Sequence, residues 1–251
     1  MEHYALASQV YGGALIFARL GSFFVAMPGI GESTVPTNIR MAFAFVVTIA
    51  LYPALAGNLP PEPSDVWAMT VQLVAEIIIG LALGTLLRMF TQSLAVAGEV
   101  ISLQTTLSFA QTTNPLQAQP TASVTTFLTL VGLTAIFATD LHQVFIAGIV
   151  HSYQMFPPGH GVPMADFNRA AVKLMGDTFG LGVQLAAPVL IFSLVFNIAA
   201  GLVARVMPQF QIFFIATPLT VLLGLAVFAM SLGGMGMVWI ERYRAFAGQW
   251  I

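Results

Sequence analysis

Apolar runs of about 20 residues recur along this chain, and that is the length a helix needs to cross a bilayer. Of the 251 residues, 58% are hydrophobic and 7% are charged, with a mean hydropathy of +0.89. Soluble domains carry roughly 25% charged residues. The short alternating segments of a membrane β-barrel are absent. These features predict an all-α integral membrane protein. The lack of cysteine excludes disulfides and cysteine metal sites.

The apolar runs and the turn signals between them predict six spans. These are 4–28, 41–56, 66–87, 122–150, 178–204 and 210–240. We expect the third span to close on Arg88, and we expect residues 151–177 to form a polar loop. Pro188 and Pro218 lie inside the last two spans and predict kinked helices. The first helix lacks the positive start of a signal peptide and is expected to be retained.

One polar segment, residues 98–120, interrupts this hydrocarbon-like pattern with Gln, Thr, Asn, Ser and Pro and almost no ionic charge. An unpaired polar group in hydrocarbon costs several kcal/mol. If the segment lies at membrane depth, it must therefore face protein or a water-filled path, and an element that lines or plugs a conduit is one interpretation. An ordinary exposed loop between two spans remains the alternative. The chain thus divides into N-terminal helices (1–97), this polar segment and C-terminal helices (121–251) of a single membrane domain.

Lysine and arginine, which are enriched in cytoplasmic loops, suggest how the chain is oriented. Arg40 and Arg88 place the N-terminus outside. Five later basic residues then distinguish two paths for the chain. If residues 99–150 cross the membrane once more, Arg205 is the one of these five that lies on the cytoplasmic side. If the polar segment dips in and returns, the other four lie inside, namely Arg169, Lys173, Arg242 and Arg244. This count favours a re-entrant polar segment.

Ionisable groups within spans are costly and call for a named partner. Arg19 and Glu76 are the natural pair between the first and third helices. Asp140 and His142 form a second site, and Glu99 and Arg205 are possible partners for other groups. Buried ion pairs that fix helices or subunit contacts are one interpretation, and a proton relay is the other. The acids do not share one helix face, which disfavours the relay.

Two glycines of the third span, Gly80 and Gly84, lie on one helix face, where a neighbouring helix can approach closely. We expect such faces, and the intramembrane charges, to need surfaces that this chain cannot supply by itself. We also expect Arg205 to be buried and paired in an assembly, and Arg244 to be solvated.

Enzyme signatures are absent from the sequence. It contains no His-Glu-x-x-His, no Gly-x-Ser-x-Gly, no phosphate-binding glycine loop and no histidines at metal-ligand spacing. We therefore predict no catalytic residues, no metal and no cofactor. A small-solute secondary transporter with broken helices is the alternative function, although the two halves show no convincing inverted repeat.

The order and spacing of many residues resemble the FliR/SctT family, a component of the flagellar and virulence type III secretion export gate. The resemblance covers essentially the whole chain. It is carried by Arg19, Pro28-Gly29, Val35-Pro36, Arg40, Glu76, Gly80, Gly84, Ala97-Gly98-Glu99, Phe109, Asn114-Pro115, Asp140-Leu141-His142, Gly182, Ala187-Pro188, Asn197, Gly201, Arg205 and Pro208-Gln209. Departures from the family pattern are Thr105, Gln211 and Ala216-Thr217-Pro218.

This resemblance implies a non-enzymatic subunit of the export gate, through which unfolded flagellar proteins cross the bacterial inner membrane. It implies one copy in a helical assembly with FliP-like and FliQ-like subunits, contact with an FlhB-like partner, and kinked helical hairpins that partly leave the bilayer. It also implies that the segment around residues 107–119 is a plug loop. The plug residues are Leu107, Phe109, Gln111, Asn114, Pro115 and Gln117. We favour the flagellar branch and its basal body over the virulence branch.

Overall fold

The computed structural model describes residues 2–107, 123–209 and 211–250. These residues form seven α-helices and two short 3-10 helices, and no strand is found among them. The α-helices are α1 (Glu2–Ala26), α2 (Thr37–Leu55), α3 (Val66–Gln104), α4 (Ser123–Ala138), α5 (Leu141–Met155), α6 (Met164–Val206) and α7 (Ile212–Ala247). The 3-10 helices are Ala56–Asn58 and Gly248–Trp250.

Five of these helices are long and apolar enough to cross a membrane, and the count rises to six if α4 and α5 together form one bent span. The prediction of an all-α integral membrane protein is confirmed. The orientation of the chain, the re-entrant path of the polar segment and the proline kinks stay predictions.

The third predicted span is wrong at its end, because α3 continues through Arg88 to Gln104. A charged residue need not end a helix, since a long side chain can carry its charge to a polar partner. The Arg88 guanidinium reaches the Glu32 carboxylate, with 3.3 Å between Nη2 and Oε2. The first residues of the predicted polar segment, 98–104, are accordingly the last turns of α3.

The apolar stretch 122–150 is not one straight helix: it holds α4 and α5, which meet at a 72° bend and can together form one bent span. The break falls at Asp140, whose φ of 58° lies in the left-handed region. Aspartate tolerates that region better than most residues because its short polar side chain can bond locally. Here its carboxylate accepts a hydrogen bond from Gln143 Nε2 at 3.0 Å.

Most of the polar loop predicted over 151–177 is helical. Helix α5 runs to Met155 and α6 begins at Met164. In the first turns of α6, Arg169 Nη2 and Asp166 Oδ1 lie 2.5 Å apart, and both side chains are exposed. The polarity of this stretch therefore marks the exposed side of a helix. The last two predicted spans are likewise longer in the structure, as α6 and α7.

The helices pack as two compact units, which interleave along the chain. Unit 1 comprises Met1–Phe90, Ile136–Met175 and Tyr243–Ile251, and unit 2 comprises Thr91–Ala135 and Gly176–Arg242. The expectation of a single membrane domain stays a prediction.

The core of unit 1 forms around α1, where Leu15, Ile16 and Leu20 are fully buried. The ring of Phe90 stacks on Tyr243 at 4.6 Å between centroids. The Tyr243 hydroxyl donates to the Leu87 carbonyl at 2.8 Å, so this buried polar group is satisfied.

In unit 2 the buried side chain of Trp239 donates from Nε1 to Ser93 Oγ at 3.0 Å. Helices α6 and α3 approach closely at Gly182 of α6, where an added Cβ atom would lie 2.6 Å from the Cβ of Val96 on α3. Small residues at such crossings are typical of helix packing in membranes.

Candidate functional site

Arg19 is fully buried in unit 1 and forms a cluster that we call the Arg19 clamp, with Glu76, Ser152, Tyr153 and Phe156. The Arg19 Nε and Nη2 atoms donate to the two Glu76 oxygens at 2.5 and 3.0 Å. Nη1 donates to Ser152 Oγ at 3.2 Å, and Nη2 also donates to the Phe156 carbonyl at 2.9 Å. The ion pair predicted between Arg19 and Glu76 is confirmed.

The clamp joins three helices. The Arg19 guanidinium carbon lies 4.1 Å from the centre of the Tyr153 ring, a cation–π contact. The Phe156 carbonyl follows the last turn of α5, where unpaired carbonyls attract a cation. Arg19 on α1 therefore fixes α3 through a carboxylate and the end of α5 through a hydroxyl, a carbonyl and a ring.

The glycine face of α3 packs directly on α1. A Cβ atom at Gly80 would lie 2.1 Å from the Arg19 carbonyl oxygen, and one at Gly84 would lie 2.7 Å from the Ala26 Cβ. The prediction of close helix packing at both glycines is confirmed. The expectation that this glycine face needs a partner surface is wrong, because α1 of the same chain supplies it.

Of the predicted plug residues, only Leu107 belongs to the part of the chain that the structure describes, and its side chain is half-buried. The others, namely Phe109, Gln111, Asn114, Pro115 and Gln117, lie outside the described residues. The structure does describe the contacts made by the residues on either side of this stretch. We call these two sets of contacts the first and second anchors.

The first anchor holds the end of α3 against α6 and α7 in unit 2. Ser193 Oγ of α6 donates to Gln104 Oε1 at 2.7 Å, and Asn197 Nδ2 donates to Ser193 Oγ at 3.3 Å. A Cβ atom at Gly224 of α7 would lie 2.7 Å from Thr105 Cγ2. Gln104 and Thr105, in the first part of the polar segment, are therefore held between two helices.

The second anchor holds the start of α4 against α3. A Cβ atom at Gly98 would lie 2.4 Å from the Thr125 Cα, so only glycine allows this approach. Beside it, Thr125 Oγ1 donates to Glu99 Oε1 at 2.9 Å. This bond gives Glu99, which is exposed in unit 2, a partner inside the chain.

The remaining ionisable residues singled out in the sequence make fewer side-chain contacts than the Arg19 clamp. Among the described residues, the buried His142 Nδ1 has no hydrogen-bond partner, and the ring lies 5.4 Å from that of Phe137. Asp140 bonds Gln143 rather than His142. Arg205, in the last turn of α6, is exposed, as is Arg244, which donates to the Thr139 carbonyl at 3.2 Å. Their roles in assembly stay predictions.

Several residues of these clusters escaped the sequence analysis. Ser152 and Tyr153 join the Arg19 clamp, and Ser193 joins the first anchor. The sequence offered only a weak signal for Ser193: it and Asn197 are polar residues one helical turn apart on an otherwise apolar stretch. Serine is common in membrane helices without such a role, so only the fold identifies these positions.

Together, the fold and these clusters define a class of protein. It is a multi-pass helical membrane protein with a neutral polar segment anchored at both ends. Among the described residues, no group of three or more His, Cys, Asp or Glu side chains could hold a metal ion.

Residues 10–246 match the family described as "Bacterial export proteins, family 1". The chain belongs to this family. It is 51% identical to the flagellar biosynthetic protein FliR of Caulobacter vibrioides over 244 residues, which cover 97% of each chain. It is 30% identical to FliR of Escherichia coli strain K12, over 84% of this chain and 80% of the relative. A more distant relative is Yop proteins translocation protein T of Yersinia pestis, at 24% identity over 82% of this chain and 79% of the relative.

These matches confirm the FliR/SctT resemblance found in the sequence and the expected function as a type III export gate subunit. The alternative of a small-solute transporter finds no support in them. Identity is higher to the flagellar biosynthetic protein FliR of Caulobacter vibrioides than to Yop proteins translocation protein T, which agrees with the preference for the flagellar branch.

Proposed function

We propose that the chain is a non-catalytic subunit of the flagellar export gate in the bacterial inner membrane, and that its polar segment is the plug of the export channel. The observation that carries this proposal is the pair of anchors. The end of α3 is held at Gln104 and at the next residue, Thr105, and α4 is held at Thr125. A chain segment fixed at both ends to packed helices has the mechanical support that a plug needs.

The composition of the segment suits a plug. A closed gate in a membrane that carries a potential must stop ions and later admit an unfolded polypeptide. Neutral side chains such as Gln111 and Gln117 can hydrogen-bond within an assembly without offering a fixed charge to ions. In this proposal Leu107 and Phe109 supply the dry contacts, and Asn114-Pro115 supplies the bend.

Helix length supports assembly with other subunits. At 1.5 Å per residue, α3, α6 and α7 are about 58, 64 and 54 Å long, while the hydrocarbon core of a bilayer is about 30 Å thick. Long apolar helices such as α6 expose large side chains even near their ends, for example Leu202 and Val206. Where these surfaces leave the bilayer, protein must cover them.

We propose FliP-like and FliQ-like subunits as that cover, in a hetero-oligomer that holds one copy of this chain and contacts an FlhB-like subunit. Exported unfolded proteins are the cargo. Arg205 is exposed among the apolar residues of α6, and this exposure supports a contact with a polar group of a neighbouring subunit. Asp140 and His142, at the bend between α4 and α5, are further candidates for subunit contacts.

The test of the plug is a deletion of residues 109–117 in cells that also produce the partner subunits. The complex should assemble, but the cells should leak small ions and grow slowly when the complex is overproduced. Substitution of Phe109 or Pro115 should give a weaker leak. The control is the wild-type complex at the same abundance. A deletion that assembles normally with background conductance would show that the segment is not the plug.

A further inference from the structure

Two arginines of unit 1, which we call the arginine pair, meet at the turn between α1 and α2. Arg40, near the start of α2, donates from Nη2 to the carbonyl oxygens of Glu32 and Val35, both at 2.9 Å. Arg88 of α3 donates from Nη2 to the carboxylate of Glu32, with 3.3 Å to Oε2. The turn therefore brings two guanidinium groups to one acidic residue.

The positive charge of Arg40 is not balanced within the described part of the chain. Its two acceptors are backbone carbonyls, which carry no net charge, and no described carboxylate lies within ion-pair distance of it. Its Nε atom is buried and has no hydrogen-bond partner among the described residues. A guanidinium stays charged, and a buried donor without an acceptor is costly. A negatively charged acceptor from outside the chain would therefore stabilise Arg40.

The arginine pair lies at the edge of the candidate membrane spans. Residues 27–36 connect α1 to α2, and both helices are long and apolar enough to cross a membrane. Along α3, Arg88 lies about 33 Å from Val66 at 1.5 Å per residue, and the hydrocarbon core of a bilayer is about 30 Å thick. The Arg88 side chain is 40% exposed. The pair is therefore accessible at the depth of lipid headgroups.

The surface next to the arginine pair suits an acyl chain. Within two turns of Arg40, α2 exposes the large apolar side chains of Ile39, Phe43 and Val46. A ligand that carries a phosphate at one end and hydrocarbon at the other would contact the arginines and this apolar surface together. A free phosphate ion would use the arginines alone. The combination favours a phospholipid over a soluble anion.

We propose that Arg40 and Arg88 bind the phosphate group of an anionic phospholipid, whose acyl chains lie along α2. Bonds between guanidinium and phosphate oxygens are charge-assisted and are among the stronger hydrogen bonds in proteins. Arg40 supplies its Nε donor, and Arg88 supplies a second positive charge. Glu32 orients Arg88, and its own negative charge opposes the lipid. This site does not depend on whether the polar segment is a plug.

The experiment uses the complex of this chain with its partner subunits, purified in mild detergent. The complex is titrated with phosphatidylglycerol, and native mass spectrometry counts the lipid molecules that each complex retains. The variants are Arg40→Gln, Arg88→Gln, their double variant and Glu32→Gln. The matched control is the double variant Arg169→Gln/Lys173→Gln, which removes the same charge from exposed positions of α6. Phosphatidylcholine and inorganic phosphate are tested in parallel.

We expect the wild-type complex to retain phosphatidylglycerol at a site that the Arg40→Gln/Arg88→Gln variant lacks. Each single change should raise the dissociation constant of that lipid about fivefold, the effect of one basic residue near an anionic membrane surface. Glu32→Gln should lower the constant about threefold, because it removes a like charge from beside the phosphate. A misfolded variant would not give this gain. Phosphatidylcholine, whose choline offsets the phosphate charge, should bind more weakly.

The inference is overturned if the wild-type complex retains no phosphatidylglycerol beyond what the Arg40→Gln/Arg88→Gln variant retains, since another subunit then covers the arginine pair. It also fails if the α6 control loses the same lipid, if Glu32→Gln weakens retention, or if phosphatidylcholine binds as tightly. Displacement of the lipid by an equal concentration of inorganic phosphate would identify free phosphate as the ligand and reject the lipid.

Discussion

Gly80 of α3 lies so close to Arg19 of α1 that a Cβ atom at Gly80 would fall 2.1 Å from the Arg19 carbonyl oxygen. The same arginine extends its side chain to Glu76, one turn before Gly80 on α3. Backbone proximity and the ion pair therefore depend on each other: the glycine lets α1 approach, and the approach brings the charges into contact.

Gly80→Ala should consequently destabilise the protein. The added methyl group meets backbone rather than a flexible side chain, so the helices must separate, at a cost of about 1–3 kcal/mol or more. Gly13→Ala is the control, because nothing lies within 4 Å of a Cβ atom there. In a helix interior that change alone favours folding by roughly 0.5–1 kcal/mol. The thermal unfolding midpoint of the purified complex should fall for Gly80→Ala only; equal midpoints would contradict the close approach.

Removal of either partner of the Arg19–Glu76 pair should be more damaging than removal of both. An unpaired buried charge costs about 3–5 kcal/mol, whereas apolar replacement of a whole buried pair is often close to neutral. We expect Arg19→Met and Glu76→Leu each to reduce the yield of assembled complex strongly. The double variant should recover part of that yield, although Ser152 and the Phe156 carbonyl lose their donor. A double variant worse than both single variants would show that the two side chains do not act as a pair.

Arg19→Lys should not replace the wild-type residue. The guanidinium makes two parallel bonds to Glu76 and further bonds to Ser152 and the Phe156 carbonyl, a fork that an ammonium group does not match. Complex yield and unfolding midpoint should both fall below the wild-type values. Arg169→Lys is the control, since Arg169 makes one exposed ion pair within α6, and exposed pairs contribute little. Wild-type yield and midpoint for both variants would show that the clamp requires charge alone.

The chain expressed without partners should be degraded or should aggregate. Although α1 covers the glycine face of α3, large apolar side chains of α6 and α7 remain exposed, among them Leu194, Leu222 and Met230. Co-production of the FliP-like and FliQ-like subunits should rescue a stable complex. Size-exclusion chromatography in mild detergent, with mass measurement, provides the test, and a stable monodisperse monomer would contradict the expectation.

Arg205→Ala should reduce assembly more than Arg242→Ala. A guanidinium stays charged, so an arginine that a partner subunit covers must be paired. Both side chains are exposed in this chain. Arg242 is a better control than Arg244, which donates to the Thr139 carbonyl. The yield of purified complex is the measurement. Equal yields would identify Arg205 as an exposed charge at the end of α6.

The sequence by itself determined the class of the protein and its principal buried pair. Lipid tolerates neither frequent charges nor unpaired backbone groups, so composition alone indicates a helical membrane protein. Because so few ionisable groups lie within the spans, Arg19 and Glu76 could be paired without coordinates. The glycine spacing of Gly80 and Gly84 likewise predicts a close crossing, since it depends on one helix only.

Only the tertiary structure decided where helices end and what they meet. Arg88 does not end α3, because Glu32 of another segment accepts its charge. Asp140 interrupts a predicted span without glycine or proline, and the neighbouring Gln143 and Phe137 contribute to that bend. The bond between Ser193 and Gln104 joins positions far apart in the sequence, and a hydropathy pattern, which is local, does not predict such a distant partner. Local sequence patterns indicate the secondary structure and the environment that a residue favours. The hydrogen-bond partner of a polar group in a membrane depends instead on which helices pack together.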